Sequence, residues 1–572
     1  MLVTRILVPI PIPIPRFITV SLIRPIATRR PPASHLARCS IRNTASPPCR
    51  RVSLATMSTA AALPQQPQHF PQPEVAPTST TPHPSDSETP SSSRDSSRSG
   101  SRSRKQEQQR GQQRMSTYFP LGYKEAAYQW WTNLSPAASE RNVLKFVPYL
   151  REAISDPANP QGAISKSDPY GPRIWRSTMV ALSGKNRALN EYSVERLDDP
   201  SDETLVMLHG YGAGLGFFYN NFEPLTRVKG WRLYALDMLG MGNSSRPPFR
   251  IKAKDPAEKI QEAEGFFADA LEEWRKIRKI EKFTLLGHSM GGYLATAYAL
   301  KYPGHLNKLI LASPVGVPED PNATNAELPE PKDSTLAQEF TQSQESIVQQ
   351  DSNTKTTDVR VGNNKTKQAP KAPRRQLPGW LIWLWDTNAV SPFSIVRLGG
   401  PLGPRFVSGW TSRRFNHLPP EEATALHEYS YNLFRQKGSG EFALTYLLAP
   451  GAYARDPLIN RIDEVGRQVL KPASEGQPAK RETGFPIVLM YGDGDWMDVG
   501  GGFAAEEKIK ARIEKALMEG TEEERKNENG SARVIVVQKA GHHLYLDNPD
   551  EFNKYIVKEL EETRDYNRRR RS

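Results

Sequence analysis

The chain has 572 residues, 37% of them hydrophobic, and a formal charge of +13. That length holds one large domain with insertions, or two domains, and the low hydrophobic fraction leaves part of the chain without a core to join. Residues 1–114 hold 16 of the 76 Lys and Arg but 5 of the 63 Asp and Glu, so the rest is nearly neutral and a nucleic-acid-binding reading loses its support.

The first 73 residues contain nine arginines, no lysine and no acid; the first acid is Glu74. An Arg-rich, Ser-containing, acid-free leader has the composition of a mitochondrial transit peptide, and residues 1–57 are read as one. In "VPIPIPIPRF" every second residue from Pro9 to Pro15 is proline, so a targeting helix would have to form in the flanks. Arg16 and Arg24 break the apolar stretch and fit a bacterial secretory signal poorly. The two cysteines, Cys39 and Cys49, both lie in this leader. A disulfide scaffold, a Cys-ligated zinc site and a thiol nucleophile are therefore excluded from the remainder. Residues 58–117 are a Pro/Gln/Ser/Arg-rich linker. A helical, Trp-bearing segment, "YKEAAYQWWTNLSP", follows within 118–172. The chain has no run of 18 uncharged apolar residues, so no transmembrane helix is expected.

From about Ile174 strand and helix patterns alternate. "TLVMLHG" (204–210) and "WRLYALDMLG" (231–240) read as buried strands. Residues 255–280 read as a helix, with Asp255 as cap, Pro256 in the first turn and Glu258 completing a capping box. Then come strand "FTLLGH", helix "GGYLATAYALKY" and strand "LNKLILASP" (306–314). The alternation resumes at strand "PIVLMYGDGD" (486–495) and closes with strand "ARVIVVQKAGH" (532–542) and a helix from Asn548. This order predicts a mostly parallel sheet with helices on both faces. The core is assigned to 173–315 and 484–562, with a basic tail at 563–572. Residues 316–483 interrupt it between the sixth and seventh strands. They include a polar loop expected to be disordered, 320–373, and the Trp-rich "LPGWLIWLWD", and they are expected to form a helical lid over the sheet's carboxyl edge.

"GHSMG" (287–291) sits between a strand and a helix. A random G-x-S-x-G occurs roughly 0.2 times in a chain of this length, so the strand-before, helix-after context supplies the specificity. The glycines make room for a strained turn that exposes Ser289, and the helix N-terminus offers N–H groups to negative charge. His288 reads as packing. A serine nucleophile needs a base, and "AGHHLYLDNPDEFN" offers His542 and His543; His542 is preferred, with His543 a pocket or packing residue. The base needs a carboxylate. "YGDGDWMD" offers Asp493, Asp495 and Asp498; Asp495 is favoured, Asp498 is next, and helix capping also explains Asp498. An oxyanion needs two N–H donors: Met290 after the nucleophile, and Tyr211 of "HGYGAG" after the third core strand, with Gly212 as alternative. "LDMLGMGNSSRP" (236–247) is given a structural role beside the site. The order Ser289, Asp495, His542 is the Ser–acid–His order of α/β-hydrolases. A dehalogenase is excluded, because its nucleophile at 289 would be a carboxylate.

Together these residues resemble the α/β-hydrolase superfamily over roughly 200–315 and 484–562. "GHSMGGYLATAYALKYP", "LLAPGAYARDPL", "YGDGDWMD" and "GHHLYLDNPDEFN" are more specifically similar to the subfamily of fungal mitochondrial cardiolipin-specific deacylases and animal lipid-droplet lipase coactivators. The resemblance implies an α/β-hydrolase fold, a lipid acyl substrate and an enzyme at a membrane surface. The coactivator lacks a nucleophilic serine where this chain has Ser289, which favours the deacylase side. The expected activity is hydrolysis of a phospholipid acyl ester, cardiolipin in the first place, without metal or organic cofactor. The expected partner is a membrane phospholipid met through peripheral contact, at the mitochondrial inner membrane or alternatively at a lipid droplet or in the cytosol. Acyl transfer to a lysophospholipid is the alternative reaction, and a non-catalytic lipase regulator is a third reading. An H-x-x-x-x-D acyltransferase motif described for this subfamily would be His542 to Asp547. A helix start also explains Asp547, with Asn548 as cap, Pro549 in the first turn and Glu551 closing a box.

Overall fold

The computed structural model describes residues 120–571 apart from 133, 151–162, 166, 198, 200–201, 320–390, 450–451 and 475–478. The transit peptide, the linker, the loop at 320–373 and the tryptophans of "LPGWLIWLWD" lie outside the described residues.

Among the described residues, nine strands form one sheet: β1 (Ala163–Ser165), β2 (Arg173–Ala181), β3 (Ala188–Arg196), β4 (Glu203–Leu208), β5 (Trp231–Leu236), β6 (Phe283–His288), β7 (Leu306–Ala312), β10 (Pro486–Gly492) and β11 (Ser531–Val537). A separate hairpin pairs β8 (Val469–Lys471) with β9 (Lys480–Arg481). The sheet order is β1-β2-β3-β5-β4-β6-β7-β10-β11. β1, β2, β3 and β5 pair antiparallel, whereas every pairing from β5 through β11 is parallel. The parallel strands β4 and β6 are buried along their whole length, as a sheet covered on both faces requires. Alternate residues feed two cores. Leu205, Met207, Leu286, Ile310 and Met490 face one side; Val206, Leu208, Leu285, Leu311 and Leu489 face the other.

Nine helices carry the argument. α1 (Tyr123–Thr132) and α2 (Pro136–Leu144) precede the sheet. α3 (Tyr219–Leu225), α4 (Pro256–Ile277) and α5 (Met290–Lys301) connect its strands. α6 (Gly403–Arg414) and α7 (Pro420–Arg435) belong to the insertion, and α8 (Val499–Glu519) and α9 (Pro549–Arg571) complete the core. α7 packs on α2, and α6 on both α1 and α7, so the N-terminal segment and the insertion form one layer.

The fold class is the expected one, with four local differences. β4 and β5 stop at Leu208 and Leu236, where the glycine-bearing loops of the site begin. The three-residue β1, too short for any periodicity, adds an edge strand, so the insertion follows the seventh strand instead of the sixth. Asp255 accepts hydrogen bonds from the N–H groups of Ala257 and Glu258, but no return bond from Glu258 completes a box among the described residues. Finally, α9 runs on to Arg571, so the basic tail is the end of a helix, where cations oppose the negative pole of its dipole.

Candidate active site

β6 ends at His288 and α5 begins at Met290. Ser289, between them, has φ 53° and ψ −119°, a conformation costly for any residue with a side chain. Its N–H donates to Ala312 O of β7 at 2.9 Å, which fixes the turn to the neighbouring strand. Both flanking glycines are sterically required. A Cβ on Gly287 would collide with the Gly291 carbonyl, and one on Gly291 would lie 2.6 Å from His209 O. Met290 is the first residue of α5, and an N–H in that position has no partner within its helix.

The "HGYGAG" loop lies directly against this elbow. A Cβ on Gly210 would stand 3.1 Å from Ser289 Cβ and 2.8 Å from His288 Nδ1. Tyr211 therefore follows the point of closest approach, where an oxyanion donor was expected. Its ring stacks on Phe393 of the insertion at 5.1 Å, and Phe393 stacks on Phe434 of α7 at 4.4 Å. Gly212 has φ +70°, and a Cβ there would press on Phe393 at 3.0 Å. His209 is buried, and its Nε2 accepts Met238 N–H at 3.1 Å, so the proton sits on Nδ1 and is donated to Gly210 O. Burial lowers its pKa and holds it neutral.

The loop is anchored from below by Asp237, just past β5. Asp237 Oδ1 accepts Leu215 N–H at 2.7 Å, and Oδ2 accepts Asn243 N–H at 2.7 Å. This is the structural role expected of the 236–247 segment. The sequence reading missed a second carboxyl group here. Glu140 of α2 is buried, and its Oε2 accepts from Asn190 Nδ2 at 2.9 Å and Asn243 Nδ2 at 2.7 Å. Asn190 Nδ2 also donates to Asp237 at 2.8 Å. Burial, and secondly the charge of Asp237, push the Glu140 pKa up to about 8.

The expected base and acid meet. His542 Nδ1 lies 3.2 Å from Asp495 Oδ1, with side chains 2% and 0% exposed. Asp495 Oδ1 also accepts Met497 N–H at 3.0 Å, and the Trp496 ring lies 5.0 Å from the imidazole. The other two carboxylates have different work. Asp498 caps α8 by accepting Gly500 N–H at 2.9 Å, and Asp493 accepts Ala540 N–H at 3.0 Å. His543 is buried and accepts from Arg414 Nε at 3.2 Å. His288 packs as expected and also donates from Nε2 to His542 O at 2.9 Å.

Asp547 requires a correction. It is more than a helix boundary: its carboxylate forms a buried ion pair with Arg414 Nη1 at 2.7 Å and accepts Gly541 N–H at 3.0 Å. Nothing in the sequence connects Arg414, 133 residues earlier in the insertion, to this loop. The boundary itself is held by Asn548, whose Oδ1 accepts Glu551 N–H at 3.3 Å. Glu551 returns to the Asn548 side-chain amide at 3.0 Å, not to its backbone as a capping box would.

No helix among the described residues is long and apolar enough to cross a membrane. Exposed apolar side chains occur on α1 and in the 395–406 stretch of the insertion: Trp131 is 81% and Leu398 84% exposed, with Tyr128, Ile395 and Phe406 also exposed.

A family model described as "alpha/beta hydrolase fold" matches residues 203–549. A 1-acylglycerol-3-phosphate O-acyltransferase of Arabidopsis thaliana is 31% identical, over 73% of this chain and 78% of the relative. The 1-acylglycerol-3-phosphate O-acyltransferase ABHD5 of Mus musculus is 27% identical, over 67% of this chain and 84% of the relative. A (lyso)-N-acylphosphatidylethanolamine lipase of Homo sapiens is also 27% identical, over 67% and 85%.

Proposed function

Because the chain belongs to the α/β-hydrolase fold family, we propose that it is a serine-dependent acyl-ester hydrolase of glycerophospholipids, with cardiolipin the favoured substrate. The observation that carries this reading is Ser289 held at φ 53° between β6 and α5, in a chain whose His542 and Asp495 are paired at 3.2 Å. A strained serine backbone is tolerated where the hydroxyl has to project from the sheet edge.

In the proposed reaction Ser289 Oγ attacks the ester carbonyl and His542 Nε2 takes its proton. Asp495 keeps the other ring nitrogen protonated and stabilises the imidazolium that forms. The amides of Met290 and Tyr211 stabilise the oxyanion. His542 then protonates the departing lyso-lipid oxygen, and water activated by the same histidine releases the fatty acid. The ester is met at a lipid surface. Trp130 and Trp131 on α1, together with the exposed Ile395, Leu398 and Phe406 of the insertion, supply rings and apolar side chains that favour the headgroup boundary. With the arginine-rich leader, that surface is assigned to the mitochondrial inner membrane.

Acyl transfer is the second reading, supported by the names of two of the relatives. Both reactions share the acyl-Ser289 intermediate and differ in whether water or a lysophospholipid receives the chain. Incubation with labelled cardiolipin, with and without lysophosphatidic acid, separates them. Release of free fatty acid without dependence on the acceptor supports hydrolysis; label appearing only in the acceptor assigns transfer. An intact lipid under both conditions contradicts the proposal.

A further inference from the structure

Three consecutive residues carry the proposed base, and each is gripped by a different group. Gly541 N–H donates to Asp547 Oδ2 at 3.0 Å. His542 O accepts from His288 Nε2 at 2.9 Å. His543 Nδ1 accepts from Arg414 Nε at 3.2 Å. The first and third grips are one unit, because Arg414 Nη1 also binds Asp547 Oδ1 at 2.7 Å. Their side chains are 2% and 4% exposed, so the pair works with little solvent screening. His417 stands 3.8 Å from the same carboxylate oxygen. Arg414 is the last residue of α6, a helix of the insertion, whereas Asp547 comes from the β11–α9 connection. Its planar fork reaches both partners at once, which a lysine could not do.

We propose that Arg414 and Asp547 are positioning residues: together they hold the turn that carries His542, and so make the insertion part of the support of the base. The H-x-x-x-x-D spacing then has a mechanical meaning. Four residues separate His542 from Asp547, so that the carboxylate can reach back to Gly541 N–H while its second oxygen takes the arginine. This assigns Asp547 to neither acyl donor nor acceptor. The inference rests on the reading of His542 as the general base.

The test uses the full-length protein, a short soluble ester, and a parallel assay with a phospholipid donor and lysophosphatidic acid as acceptor. Ser289→Ala is the control for the underlying reading. Asp547→Asn keeps the shape and an acceptor for Gly541 but loses the ion pair. Arg414→Lys keeps the charge and loses the fork, and serves where Asp547→Asn does not fold. For the folded fraction of each variant, kcat is expected to fall about 10- to 100-fold, as a displaced base requires, with KM within about twofold of wild type. Hydrolysis and any transfer should fall by the same factor. Loss of transfer with hydrolysis retained would make Asp547 a transfer residue and overturn the proposal. So would wild-type kcat in a folded variant, or a loss of activity that only tracks the loss of folded protein. If Ser289→Ala retains wild-type activity, the underlying reading fails, and the positioning role fails with it; a dead Ser289→Ala beside fully active Asp547→Asn and Arg414→Lys removes the positioning role alone.

Discussion

Replacing Glu140 by glutamine should change how stability depends on pH. The wild-type carboxyl is raised from 4.5 to about 8 in the folded protein, first by burial and then by Asp237. Between those two values the folded state holds a proton that the unfolded chain has released. Stability therefore falls as pH rises through this window, with a slope of up to about 1.4 kcal/mol per pH unit for one proton. From pH 5.5 to 7.5 that amounts to at most about 3 kcal/mol. Glutamine keeps the oxygen that accepts from Asn190, Asn243 and Tyr429 and has no proton to release. Buried His209, His288 and His543 have lowered pKa values, mainly through burial, and contribute with the opposite sign, but they are present in both proteins. The difference between the two profiles thus isolates Glu140. Urea unfolding at half-unit pH steps measures it. The glutamine variant should gain on wild type steadily from pH 5.5 to 7.5. Parallel profiles would show that the Glu140 carboxyl is not protonated at neutral pH, and would contradict its burial beside Asp237 as the cause of a raised pKa.

Asp495→Asn should lower ester hydrolysis on the order of 10³- to 10⁴-fold, whereas Asp498→Ala should leave it within a few-fold and cost about 1 kcal/mol of stability as a lost helix cap. The reverse pattern in steady-state kinetics and urea unfolding would reassign the acid. Gly291→Ala places a methyl 2.6 Å from His209 O and 2.8 Å from Leu208 O, both backbone atoms that cannot swing away. It should destabilise by about 1–3 kcal/mol and lower turnover, and a variant with wild-type melting and kcat would contradict the close approach. Trp130→Ala with Trp131→Ala should weaken binding to cardiolipin-containing vesicles in flotation assays and leave hydrolysis of a soluble ester unchanged. Loss of both together with thermal stability would make these rings core instead of surface.

The parts of the fold that repeat were the most legible. The strand runs from "TLVMLHG" to "ARVIVVQKAGH" and the capped helix at Asp255 are local patterns, and they recur within a few residues of their predicted bounds. The placement of Ser289, Asp495 and His542 past the carboxyl ends of parallel strands was legible because each follows such a run, and strand order carries those ends to one edge of the sheet. β1 was not, since three residues carry no period. Arg414 and Glu140 were not legible for a different reason. Each is an ordinary charged residue on an amphipathic helix, and only packing of the insertion and of α2 brings them to Asp547 and Asp237. Asp547 was underestimated because its neighbour Asn548 explained the helix start so well.

The claim on which the rest depends is that Ser289 is an activated nucleophile. Labelling with a fluorophosphonate, followed by peptide mass spectrometry, tests it directly. The account predicts one adduct, on Ser289, absent from Ser289→Ala and formed far more slowly in His542→Ala. Label on another residue, or full hydrolytic turnover by folded Ser289→Ala, would contradict it.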